Sequence, residues 1–148
     1  MTQLTEHFSL EELIFSSTAV RLGIDNAPSP DVATNLTTLA MGLELVRTLL
    51  GNQPMHIDSG YRSAQLNQQV GGVPSSAHVQ GYAADFICPE FGTPLQIVQA
   101  IARSDIQYDQ VIQEGNWVHL SVAPTLRGQV LTAHFDDGIA TYSAGVSQ

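Results

Sequence analysis

One cysteine in 148 residues excludes an intrachain disulfide. Cys88 sits in the apolar stretch Ala83-Ala84-Asp85-Phe86-Ile87-Cys88, where a buried thiol is favoured over a nucleophile. Cysteine usage therefore leaves the redox compartment open. Positive charge is also scarce: five Lys/Arg stand against fourteen Asp/Glu, a formal net charge of −9. That balance argues against a sequence-independent grip on nucleic-acid phosphates and against general attraction to anionic membranes or cell walls. Solubility is its simplest use. No apolar run approaches the ~20 residues that span a bilayer. The first residues, Met1 to His7, lack the basic and apolar regions of a signal peptide, so the expectation is a soluble chain made in the cytoplasm. Internal repeats, low-complexity tracts and linkers are missing too, which leaves a single domain over residues 1–148.

What is present is enough apolar material, 43% of residues, for one sizeable core. Ser9-Leu10-Glu11-Glu12 has the form of a capping box and predicts a short helix. Val32, Leu36, Leu39, Leu43, Val46 and Leu50 recur at three- and four-residue steps, predicting a core-facing helix from Pro30 to Leu50 that Gly51 closes. Met55 to Ser59 reads as a strand, Ser63 caps a short helix through Val70, and residues 71–76 form a loop. Ala83 to Cys88 reads as a central strand and Thr93 to Arg103 as a helix. Gln107 to Glu114, Trp117 to Val122 and Gln129 to Phe135 are further strands. The tail after Phe135 is either a last strand or a frayed end. The order predicts an α+β domain, with helices on one side of a small, mainly antiparallel sheet.

Two clusters carry chemistry. The first is Ser76-Ala77-His78-Val79-Gln80-Gly81-Tyr82-Ala83-Ala84-Asp85, and the second is Glu114-Gly115-Asn116-Trp117-Val118-His119-Leu120-Ser121. Strand alternation puts Ala83, Asp85 and Ile87 on one face and Ala84, Phe86 and Cys88 on the other. A carboxylate inside such a strand is costly unless it is paired or binds a metal. The alternative for Asp85 is a buried acid bonded to backbone or to Arg62. Trp117, His119 and Ser121 share a face that suits a pocket wall better than a core. Taken singly, His78 and His119 are more often satisfied loop or core histidines than metal ligands. Together, two imidazoles and a carboxylate form a set that zinc accepts, with a fourth position left open. Bound zinc would offset two negative charges locally.

The pattern Ser76-x-His78, Gly81, Ala83, Asp85 and then Trp117-x-His119 resembles the zinc D-Ala-D-Ala carboxypeptidase family of peptidoglycan peptidases. That family includes D,D-dipeptidases of vancomycin resistance and phage endolysin L-alanyl-D-glutamate peptidases, and it shares its zinc-site fold with the hedgehog signalling domain. The likeness covers about Met55 to Val122, with the preceding helices fitting more loosely. It implies a zinc peptidase with one Zn²⁺ per chain, held by His78, Asp85 and His119. It also implies a hedgehog-like fold. Arg62, in Ser59-Gly60-Tyr61-Arg62-Ser63, matches the family arginine that contacts substrate and polarises the scissile carbonyl. A guanidinium, with several donors in a fixed plane and a permanent charge, suits that task. Its alternative is an ion pair with Asp58 or Asp85.

Glu114 is the expected general base, able to take a proton from the attacking water and deliver it to the leaving amine. Its alternative is an exposed turn acid before Gly115. Some relatives place their catalytic glutamate three residues before the last histidine, whereas Glu114 lies five before His119; Asp109 is the fallback. Ser76 either bonds substrate or shapes its loop, and Tyr61 and Trp117 are expected to line the cleft. His7, His56 and His134 match no motif. The expected partner is a peptidoglycan peptide, bound by a monomer with no nucleic-acid partner and no membrane insertion. Such an enzyme would reach the wall after release or injection, as a phage lysis enzyme does. Two competitors are a non-catalytic zinc module that binds peptidoglycan or a protein, and an intracellular D-Ala-D-Ala dipeptidase. A small closed pocket would favour the dipeptidase.

Overall fold

The computed structural model describes residues 2–147. Six helices and six strands follow in the order α1 (Leu10–Ile14), α2 (Ser17–Leu22), α3 (Pro30–Leu49), β1 (His56–Ser59), α4 (Ala64–Gln69), α5 (Ala77–Gln80), β2 (Ala83–Ile87), α6 (Pro94–Ala102), β3 (Gln110–Glu114), β4 (Trp117–Ser121), β5 (Gln129–Asp136) and β6 (Ile139–Ala144). The helix starts obey local capping chemistry. The hydroxyls of Ser9, Ser29 and Ser63 each accept a backbone N–H three residues on. Thr93 and Gln96 form a complete capping box at the start of α6.

All six strands join one sheet in the order β1-β2-β4-β3-β5-β6. The sheet is mixed, which corrects the expectation of a mainly antiparallel one: β3 and β5 run parallel. The reason is spatial. β4 lies between β2 and β3, so neither of its edges is free when the chain leaves it at Ser121. Ser121 pairs with Gln110 at the start of β3, and Gln110 pairs in turn with Gln129. The short connection therefore delivers β5 to the free edge of β3 at the beginning of that strand, and the two must run the same way. The tail is an ordered strand, β6, paired antiparallel with β5 from Leu131↔Ala144 to Asp136↔Ile139.

One face of the sheet packs on the core. Ala84, Phe86, Val111, Val118 and Leu120 meet Leu36, Leu39, Leu43 and Val46 of α3 and Ile97, Val98 and Ile101 of α6 in one buried cluster. Each fully buried Leu, Ile, Val or Phe there contributes roughly 1.5–3 kcal/mol of transfer free energy. Cys88 is buried in the same cluster. The alternate residues of those strands, Asp85, Ile112, Glu114, Trp117 and His119, point to the opposite face. That face carries the site.

Candidate metal centre

Asp85 on β2 stands directly opposite His119 on β4. Residues so paired point to the same side of the sheet. His119 Nδ1 lies 3.0 Å from Asp85 Oδ1. His78, in the one-turn helix α5, brings its Nε2 to 3.3 Å from the same oxygen. One ligand atom from each residue lies within 4.8 Å of the other two. The three side chains are only 3%, 15% and 11% exposed for His78, Asp85 and His119, so the cluster forms the floor of a cleft.

His78 owes its aim to local backbone. Ser76 caps α5, its Oγ accepting from the His78 N–H at 3.2 Å, and Gly81 ends the helix at φ +79°. The Gly60 carbonyl lies 2.7 Å from His78 Nδ1. A carbonyl can only accept, so Nδ1 carries the proton and Nε2 is left with its lone pair toward Asp85. Gly60 has to be glycine, because a Cβ there would run into the Leu13 carbonyl oxygen. Burial holds the His78 imidazole below its usual pKa against the opposing pull of Asp85, which keeps the ring neutral as a metal ligand must be. Burial alone would raise the Asp85 carboxyl, but its close contacts with His119 first and His78 second outweigh it and hold the group well below the usual range. Two neutral nitrogens and one ionised oxygen at this spacing fit a divalent metal of the zinc type, with room for a further ligand.

Around the cluster opens a cavity of about 710 Å³, lined by Arg62, Ser76, Glu114 and Trp117 among others. Arg62 is positioned through its backbone. Its N–H donates to the His78 carbonyl at 3.1 Å. Asn26 ties down both neighbours, donating to the Tyr61 carbonyl at 3.1 Å and accepting from the Ser63 N–H at 2.7 Å. Among the described residues no carboxylate pairs with the guanidinium: Nη2 reaches only Ser76 Oγ at 3.5 Å, and Nε is a buried donor without an acceptor. Burial lowers its affinity for a proton, with Asp85 and Glu114 offsetting the effect, and a guanidinium stays charged regardless.

Glu114 ends β3 opposite Trp117, across a tight turn in which Gly115 takes φ +64°. It is no loose turn acid. Burial pushes its carboxyl up and Asp85 adds to the effect, while His119 and Arg62 pull the other way. Asp109 is engaged elsewhere: Arg127 donates to it from Nε at 2.7 Å and Nη2 at 3.0 Å, and Thr125 donates at 2.7 Å. Tyr61 lies outside the cavity lining and packs against the hydrophobic core, whereas Trp117 does line the cavity. His56 faces Asp58, His7 faces Glu44, and His134 pairs with Ser143.

An open site of this composition, on the exposed face of a sheet with an acid and an unpaired guanidinium beside it, has the makings of a metallopeptidase. Comparison with known proteins supplies the family. Residues 6–121 match the profile of the peptidase M15 family, and the chain belongs to it. The matched family is one of peptidases, and the His78, Asp85 and His119 set is of a kind that can hold a metal ion. A zinc D-Ala-D-Ala carboxypeptidase of Streptomyces albus G is similar to this chain, 40% identical over 43 residues. That stretch is 29% of this chain and 17% of the relative's length.

Sequence reasoning did not single out Gly60, Asn26, Arg127 or Tyr142. Gly60 and Asn26 act through backbone hydrogen bonds, which no spacing rule reports. Arg127 reaches the cavity through the β4–β5 connection and Tyr142 through the β5–β6 hairpin.

Proposed function

We propose that the protein hydrolyses amide bonds in the stem peptides or cross-links of peptidoglycan, with Zn²⁺ held by His78, Asp85 and His119. The observation that carries this reading is the convergence of those three ligand atoms within 4.8 Å on the floor of a cleft that also holds Glu114 and Arg62. Zinc bound there supplies Lewis-acid polarisation of a carbonyl and lowers the pKa of water toward ~7, so no side-chain nucleophile is required.

The chain's own groups divide the remaining work. A Glu114 carboxylate oxygen removes a proton from the attacking water and hands it to the leaving amide nitrogen. Its raised proton affinity matches that dual task better than an ordinary surface acid would. Arg62, with no carboxylate partner among the described residues, directs its N–H groups at the substrate carbonyl oxygen and holds the negative charge that develops on it. Trp117 forms a wall against the peptide. Ser76 shapes the α5 loop and touches Arg62, and a contact from it to substrate belongs to the same proposal. Asp109, with both carboxylate oxygens engaged, is a poorer base than Glu114.

The cleft, about 710 Å³, runs from Arg62 and the 71–76 loop across the sheet to Tyr142, a spread that suits an extended peptide. This favours a lytic role on the wall, of the kind phage endolysins perform, over clearance of free D-Ala-D-Ala. The family resemblance extends the proposal to a hedgehog-like zinc-site fold, and action as a monomer is proposed beside it. Incubating purified peptidoglycan with the protein, with and without a zinc chelator, tests the function by mass spectrometry. New stem-peptide fragments that disappear with chelator are expected. Intact peptidoglycan in both samples would refute the peptidase.

A further inference from the structure

The β5–β6 hairpin lies beyond residues 6–121, the part matched to the family, yet it builds one wall of the cleft. Its register shows how. Ile112 of β3 pairs with His119 on one side and with Leu131 of β5 on the other. Leu131 and Ala133 are two apart on β5 and share a face, and Ala133 pairs with Tyr142 of β6. Tyr142 therefore projects from the same face as His119, Asp85 and Glu114.

Two strand spacings, about 10 Å, separate β3 from β6. The intervening side chain is only the methyl of Ala133, so a tyrosine ring can lean across it toward Glu114. Tyr142 and Glu114 line the same cavity. Burial raises the Tyr142 phenol's proton affinity, and the charges of Glu114 and Asp85 push it the same way, which places the hydroxyl within their field. The ring is still half exposed, as a substrate-facing group has to be.

We propose that Tyr142 is a substrate-binding residue whose phenolic hydroxyl donates a hydrogen bond to a carbonyl oxygen of the bound peptide, on the flank of the cleft opposite Arg62 and His78. The inference rests on the peptidase reading for the identity of the ligand and on the hairpin register for its place. A role confined to packing would be kept by phenylalanine, whereas a hydroxyl contact is lost with it.

The test compares wild type, Tyr142→Phe and Thr141→Ala, the last altering the opposite face of the same strand, on muropeptides released from peptidoglycan by a muramidase. Tyr142→Phe is expected to lower kcat/KM about tenfold, the size of one substrate hydrogen bond, with zinc content and Tm unchanged. Thr141→Ala should match wild type. In parallel, the Glu114→Gln protein carrying ¹³C-labelled tyrosine is titrated with the same muropeptides. The resonance assigned to Tyr142 by its loss in the Tyr142→Phe variant should shift. Wild-type kinetics in Tyr142→Phe would overturn the proposal and leave the peptidase standing. Should wild type cleave nothing while the resonance still shifts, the peptidase reading falls and the Tyr142 contact holds. No cleavage and no shift would overturn both.

Discussion

His119 and Asp85 face each other in register across β4 and β2, with His119 Nδ1 3.0 Å from the carboxylate oxygen that also lies 3.3 Å from His78 Nε2. One oxygen thus serves two imidazoles, an arrangement that a bound cation satisfies better than protons, since both rings can then stay neutral. Replacing His78, Asp85 or His119 with Ala should take zinc from about one per chain to near none. The loss of affinity should exceed the roughly 10–100-fold that follows removal of an outer hydrogen-bond partner. Metal analysis of the purified variants checks this.

Gly60 is such an outer partner, acting through its carbonyl on His78 Nδ1. Gly60→Ala has no room for its methyl against the Leu13 carbonyl, so the backbone must shift and the hydrogen bond with it. We expect zinc affinity to fall about 10–100-fold and stability to drop by about 1–3 kcal/mol. Chelator competition and denaturant unfolding read the two effects separately.

Glu114→Gln should keep its zinc and lose about 10²–10⁴-fold in turnover, the usual range for a positioned acid–base group. With Glu114 as the proposed base, activity needs its ionised form, so kcat/KM should fall as pH drops through the pKa of this carboxyl in the zinc-loaded enzyme. Stability runs the other way. Because the folded protein binds this proton more tightly than the unfolded chain, the contribution of Glu114 is present at low pH and lost as pH rises through the folded pKa. Glu114→Gln should therefore be at least as stable as wild type at neutral pH, which thermal unfolding measures.

Asp109 and Arg127 brace the connection between β4 and β5. Asp109→Asn should cost about 2 kcal/mol, the size of hydrogen bonds to a charged group. Arg127 first, then Thr125, holds the Asp109 carboxyl below its usual range despite burial. Its stabilisation is therefore complete above the unfolded pKa of about 3.9 and vanishes as pH falls through the lower folded value. The gap between wild type and Asp109→Asn in urea unfolding should close over that acidic window.

Much of this site was legible in the chain because its parts are short and local. The alternation around Asp85 and His119 placed both residues on the face away from the core, and the Leu36-to-Val46 spacing identified the helix that covers the other face. The one-turn helix that carries His78 was not read between the 71–76 loop and Gly81, since four residues are too few to show a period. Helix α2 escaped for the same reason. The parallel pairing of β3 with β5 is set by which sheet edge is free, and strand alternation carries no information about edges. Tyr61, expected to line the cleft, instead packs half-buried against the core, since neighbours on an extended segment point to opposite sides and Arg62 takes the cleft side.

The most direct test is paired measurement of zinc content and of peptidoglycan fragments, in wild type and Glu114→Gln. The account predicts about one zinc per chain in both proteins and new stem-peptide fragments from wild type alone. A wild-type protein that binds no stoichiometric zinc after loading, or a Glu114→Gln protein that releases fragments as fast as wild type, would contradict it.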